Sequence, residues 1–95
     1  MEPALNSEHF EELSAKSQQL LEQFLDSEIK LGFTFAELAA TERNLGNLEH
    51  FQHAKGDAIK AVESVRHFLD RVKNKETRNA VLQRCAELEE AVAAL

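Results

Sequence analysis

The chain of 95 residues contains no tryptophan and no tyrosine, and only one proline, three glycines and one cysteine. A lone thiol, Cys85, excludes an intramolecular disulfide and any cysteine-based zinc cluster. Gly32, Gly46 and Gly56 stand isolated, so there is no glycine-rich phosphate loop. No apolar run approaches the roughly 20 residues that a membrane span requires. Met1-Glu2-Pro3 lacks the basic and apolar stretch of a secretory signal, and the expected compartment is the cytoplasm. The length suits one core, hence one domain over 1–95.

Positive charge is scarce in the first half. Residues 1–54 hold Lys16, Lys30 and Arg43 against ten carboxylates, a balance of −7. Residues 55–84 hold eight basic and four acidic side chains, a balance of +4, and the last eleven residues add −3. An acidic first half disfavours phosphate backbones, so no nucleic-acid partner is expected. The basic middle reads as a solvated helix surface, and so dipolar a chain could also pair with a second copy.

What remains is helical periodicity. Phe10, Leu13, Ser17, Leu20, Phe24, Glu28, Leu31, Phe35, Leu38, Glu42 and Leu45 recur at steps of three and four, with Leu21 and Ala39 widening the stripe. Ser7 is a candidate N-cap, and Gly46-Asn47 ends the run. A second stripe comprises Phe51, Ala54, Ala58, Ala61, Val62, Val65, Leu69 and Val72, flanked by Ile59 and Phe68. A third comprises Val81, Cys85, Leu88, Val92 and Leu95, after a break at Lys73-Asn74-Lys75 with Asn74 as candidate cap. The expected fold is all-α: an antiparallel bundle of three long helices over about 7–45, 48–72 and 75–94. A break near Gly32 would make four, but the apolar register passes through that glycine without a phase slip, which favours one continuous helix.

Segments of this pattern resemble known helical hairpins. Leu38 and Leu45, the turn at Gly46-Asn47, and Ala54-x3-Ala58-x2-Ala61 are similar to a tetratricopeptide repeat over about 34 residues. Ala54 and Ala61 match that pattern. Ala58 stands where the family has an aromatic, and Thr41 and Glu42 stand where it prefers Leu and Gly. The stretch from Leu31 to Leu69 also resembles small uncharacterised bacterial helical proteins. Both resemblances imply a helical hairpin and no activity, because one repeat cannot form the concave peptide-binding face of a stacked array.

Candidate chemistry is sparse. Glu49 and His53, Glu63 and His67, and His50 and His53 each share a helix face, but neither Glu-x-x-His nor His-Glu-x-x-His occurs. They read as surface pairs. Glu28 and Glu42 fall on the first apolar stripe, yet roughly 21 Å of helix separates them, too far for a catalytic pair. Cys85, between Val81 and Leu88, reads as a small inert core residue. No catalytic, metal or cofactor residue is assigned, and the chain is not expected to be an enzyme.

Length supplies the strongest functional expectation. A first helix of roughly 57 Å outruns a returning helix of roughly 37 Å. The returning helix would cover the first only back to about Leu21, leaving Phe10, Leu13, Leu20 and neighbouring Phe24 uncovered. An uncovered apolar stripe marks association. The sequence therefore points to a non-enzymatic interaction module that forms a homodimer through Phe10, Leu13, Leu20 and Phe24, another protein being a further candidate partner. The alternative is a small-ligand or metal-binding bundle.

Overall fold

The computed structural model describes residues 4–95. Met1-Glu2-Pro3 lies outside the described residues. Helix α1 runs over Ala4–Asn44, α2 over Leu48–Leu69 and α3 over Lys75–Ala93. No strand occurs among the described residues. The fold is the all-α, antiparallel three-helix arrangement that the periodicity predicts, drawn out to 67 × 21 × 15 Å. The first helix is unbroken through Gly32 and begins before Ser7, so Ser7 is a helical residue and not the cap.

Each helix stop follows from local backbone chemistry. Gly46 has φ +81°, a left-handed conformation that costs a β-carbon-free residue little. It lets the Asn47 N–H reach back to the Glu42 carbonyl at 2.9 Å and the Gly46 N–H to the Arg43 carbonyl at 3.1 Å. These two bonds are the Schellman closure of a helix C-terminus, and they turn the chain back on itself within three residues. Asn74 caps α3, its side-chain oxygen accepting from the Thr77 N–H at 2.9 Å. The end of α2 falls at Leu69, earlier than the expected 72, yet Val72 stays fully buried beyond the helix end.

The main core joins all three helices. Leu25 and Ile29 from α1 meet Val62, Val65 and Leu69 from α2, Val72 from the turn, and Val81, Cys85 and Leu88 from α3. A smaller cluster of Ala39, Phe51 and Ala54, with Leu95 against it, closes the other end. Between them lies a seam of small residues. Gly32, Ala36 and Ala39 on α1 and Ala54, Ala58 and Ala61 on α2 are all buried. A β-carbon on Gly32 would lie 3.1 Å from the Ala61 β-carbon and 2.5 Å from Leu88 Cδ2, so the close approach of these two side chains explains the glycine. Such closeness buries little area per residue but gives dense packing.

This seam corrects one expectation. The face of α1 that packs inside the chain is Leu21, Leu25, Ile29, Gly32, Ala36 and Ala39, not the stripe from Phe10 to Leu45. The two sets are offset by one residue, about 100° around the helix. The larger side chains dominate the sequence pattern, but the smaller ones permit the close crossing with α2. The second stripe is buried as expected; in the third, Val81, Cys85 and Leu88 are buried and Val92 and Leu95 half-buried, with Ile59 and Leu82 on the exposed flanks.

Candidate functional site

Four side chains from the first stripe stand in water. Phe10 is 72% exposed, Leu13 52%, Leu20 65% and Phe24 41%. The same face continues with Leu31 at 45%, Leu38 at 46% and Leu45 at 68%. Sequence reasoning placed Leu31, Leu38 and Leu45 beneath α2 and so missed them as surface. The clue was present in Gly32, Ala36 and Ala39, small residues one position further along, matched in size by the alanines of α2.

The expected length mismatch accounts for only part of this exposure: residues 9–13, with Phe10 and Leu13, are exposed on every side of α1, whereas Leu20 and Phe24 are not on an overhang. The α2–α3 turn reaches further down α1 than Leu21. The Gln18 side-chain amide donates to the Arg71 carbonyl at 2.9 Å, and its oxygen accepts the Lys73 backbone N–H at 2.9 Å. Lys73 Nζ donates to Ser14 Oγ at 3.2 Å. Leu20 lies alongside these contacts and is exposed because of the side of the helix it occupies. Phe24 is held at its edge by Phe68 of α2, the rings 5.6 Å apart and nearly perpendicular. Phe10, Leu13, Ser14, Ser17, Gln18 and Lys73 line one shallow depression where α1 runs past the turn.

The exposed stripe forms one wall of a groove between α1 and α2. Glu28, Leu31 and Phe35 face Asp57, Lys60 and Ser64 across one part of it. Leu38 and Glu42 face His50, His53 and Asp57 across the next. Glu28 and Glu42 are half-buried at the groove and remain well separated along α1. Glu42 accepts from Asn47 Nδ2 at 2.8 Å and lies 3.5 Å from His50 Nδ1, which ties it to the turn. His50, His53 and His67 are exposed, as are Glu49 and Glu63. Among the described residues, no group of three or more His, Cys, Asp or Glu side chains is placed to hold a metal ion.

The remaining charged groups fasten the helices together. Asp26 sits between Lys30 at 2.9 Å and Arg84 at 2.7 Å, linking α1 to α3. The hydrogen bond from Lys30, then that from Arg84, holds its carboxyl below the usual carboxylate range. Arg66 of α2 grips Glu89 of α3 with two parallel N–H donors, Nε at 3.0 Å, and this bond lowers the Glu89 carboxyl likewise. Arg78 donates to the Val72 carbonyl at 2.9 Å, and Arg71 lies over the Phe68 ring at 4.9 Å. Much of the basic segment is thus engaged within the chain. Cys85 is fully buried, and desolvation pushes its thiol above its usual value. No helix among the described residues is long and apolar enough to cross a membrane. No protein-family model matches the chain, and neither a curated protein nor a solved structure shows significant similarity to it.

Proposed function

We propose that this protein is a non-enzymatic helical interaction module that associates with a second copy of itself through the exposed face of α1. One observation carries the reading: Phe10, Leu13, Leu20 and Phe24 stand exposed on a single helix face. Each would forgo roughly 1.5–3 kcal/mol of burial if left in water. A symmetric dimer covers such a face with the same face of the partner. The groove residues add no catalytic constellation to this surface.

Sedimentation equilibrium tests the reading. The expected mass at tens of micromolar is twice the single-chain mass of 10.7 kDa. Leu13→Glu should halve that mass while leaving the helical circular dichroism intact, because Leu13 is outside the intrachain core. A wild-type mass near 10.7 kDa under those conditions overturns the proposal.

A further inference from the structure

Residues 9–13 of α1 have no tertiary support: they are exposed on every side. Ser14 is the first position after them that the rest of the chain partly covers, its hydroxyl meeting Lys73 Nζ at 3.2 Å. Gln18 follows with its two bonds to the α2–α3 turn. A stretch so exposed takes its helical form from backbone bonds rather than from packing, and backbone bonds alone hold a helix end poorly. Propagation gains little per residue, the growth constant being about 1–1.6 for good helix formers even near 0 °C. Asn6, Ser7 and His9 are not good helix formers. No acidic residue in the first turn of α1 complements the helix dipole. Resting on the dimer reading above, we infer that residues 9–13 are a conditional helix, unravelled in the single chain and ordered when the second copy covers Phe10 and Leu13.

The proposed contact face then has two parts of different character. Leu20 and Phe24 are fixed before any partner arrives. Leu20 lies just past the Gln18 clasp, and Phe24 rests edge-on against Phe68 at 5.6 Å. The buried Leu25 and Ile29 anchor the same stretch of helix to the main core. Phe10 and Leu13 have no such anchor, and their apolar surface is what a partner adds to the backbone bonds. Leu20 and Phe24 therefore offer the first contact, and the helix before Ser14 forms against the partner afterwards. Ordering residues 9–13 offsets part of what burying Phe10 and Leu13 contributes. The dimer is in consequence weaker, and more readily reversed, than a rigid pairing of the same side chains. A segment that orders on contact makes the state of α1 depend on protein concentration, an order–disorder device built into the fold.

Amide hydrogen exchange read by mass spectrometry, with the mass followed by sedimentation, tests the coupling. In the wild-type dimer, residues 9–13 should exchange at least about tenfold more slowly than in the same protein diluted to single chains. Leu20→Glu gives the sharper comparison, because Leu20 lies outside residues 9–13 and outside both core clusters. That variant should have the single-chain mass. Its residues 9–13 should exchange within about threefold of an unstructured peptide, as a growth constant near one allows. Leu25 and Ile29 should keep their protection, which shows that the three-helix body is intact. Circular dichroism sums all three helices and hardly registers so short a segment. Equal protection of residues 9–13 in the dimer and in the Leu20→Glu single chain overturns the inference, since the helix then stands by itself. Fast exchange of residues 9–13 in a protein of dimeric mass overturns it as well, and leaves the dimer reading to rest on Leu20 and Phe24. A single-chain mass for the wild type removes both.

Discussion

The Gln18 side chain clasps the backbone of Lys73. Its oxygen accepts the Lys73 N–H while its amide donates to the Arg71 carbonyl, both at 2.9 Å. One side chain of α1 thereby satisfies a donor and an acceptor in the α2–α3 turn, which the short turn cannot satisfy internally. Gln18→Ala removes both bonds. Each net bond is worth about 0.5–1.5 kcal/mol, and the site is partly wet, so a loss of about 1–2 kcal/mol is expected. Gln18→Glu keeps the acceptor for the Lys73 N–H but sets a carboxylate oxygen against the Arg71 carbonyl, so it should also melt below wild type. Urea melts of the three proteins at one fixed concentration check both losses, and equal midpoints refute the clasp.

Asn74 fixes the start of α3 through its bond to the Thr77 N–H. Asn74→Ala should cost about 1 kcal/mol, the usual loss for a capping oxygen. Asn74→Asp should retain most of the stability, because it keeps an acceptor and adds charge favourable to a helix N-terminus. Thermal midpoints of the pair against wild type decide; a drop for Asp as large as that for Ala contradicts a capping role.

Gly32 meets Leu88 and Ala61 where the three helices converge. Gly32→Val should destabilise by about 1–3 kcal/mol through overpacking, even though glycine inside a helix is itself unfavourable by about 1 kcal/mol relative to alanine. A reduced thermal midpoint, several degrees below wild type for a chain this size, is the expected result. An increase would show that Leu88 yields without cost.

The second and third stripes were readable in the sequence because each buries most of its large apolar residues on one side. Gly46 and Asn74 were readable because their side chains, or the lack of one, set the local backbone. The packing face of α1 was not readable in the same way. Leu31, Phe35 and Leu38 outweigh Gly32, Ala36 and Ala39 in any count of hydrophobicity, yet the smaller set admits α2 to close range. Periodicity reports that a helix has an apolar face, not which of two adjacent faces a neighbour selects. Phe10 and Leu13 stand exposed for the expected reason of length, since residues 9–13 are uncovered on every side, whereas Leu20 and Phe24 are exposed although Gln18 and Lys73 show that the turn reaches past Leu21. Those polar contacts leave no periodic trace in the sequence.

The two cross-helix ion pairs make stability depend on acid. Asp26 and Glu89 both have carboxyls held below their ordinary range, Asp26 by Lys30 and Arg84 and Glu89 by Arg66. A depressed folded-state value means that the stabilisation is present above the unfolded carboxylate range and is lost as pH falls through the folded value. The Asp26→Asn, Glu89→Gln double variant should therefore melt below wild type at pH 7. That gap should close as pH falls below about 4. The pairs are solvent-exposed, so the gap should be small and should shrink in high salt. A difference in melting temperature that is constant from pH 7 to pH 3 would exclude the assignment.

Ala58 tests the close crossing of α1 and α2 against the likeness to a tetratricopeptide hairpin. Ala58 is fully buried between Ala54 and Ala61, on the face of α2 that meets the small residues of α1. A phenyl ring there has nowhere to go unless the helices separate. Separation would disturb both the Ala39, Phe51 and Ala54 cluster and the packing of Gly32 against Ala61. Ala58→Phe should thus cost on the order of 1–3 kcal/mol. The repeat pattern carries an aromatic at this position and implies the reverse, a wider crossing that a ring would fill. Thermal unfolding of the variant distinguishes the two packings. A lower midpoint supports the small-residue seam, and an unchanged or higher one shows that α1 and α2 can adopt the wider, repeat-like spacing.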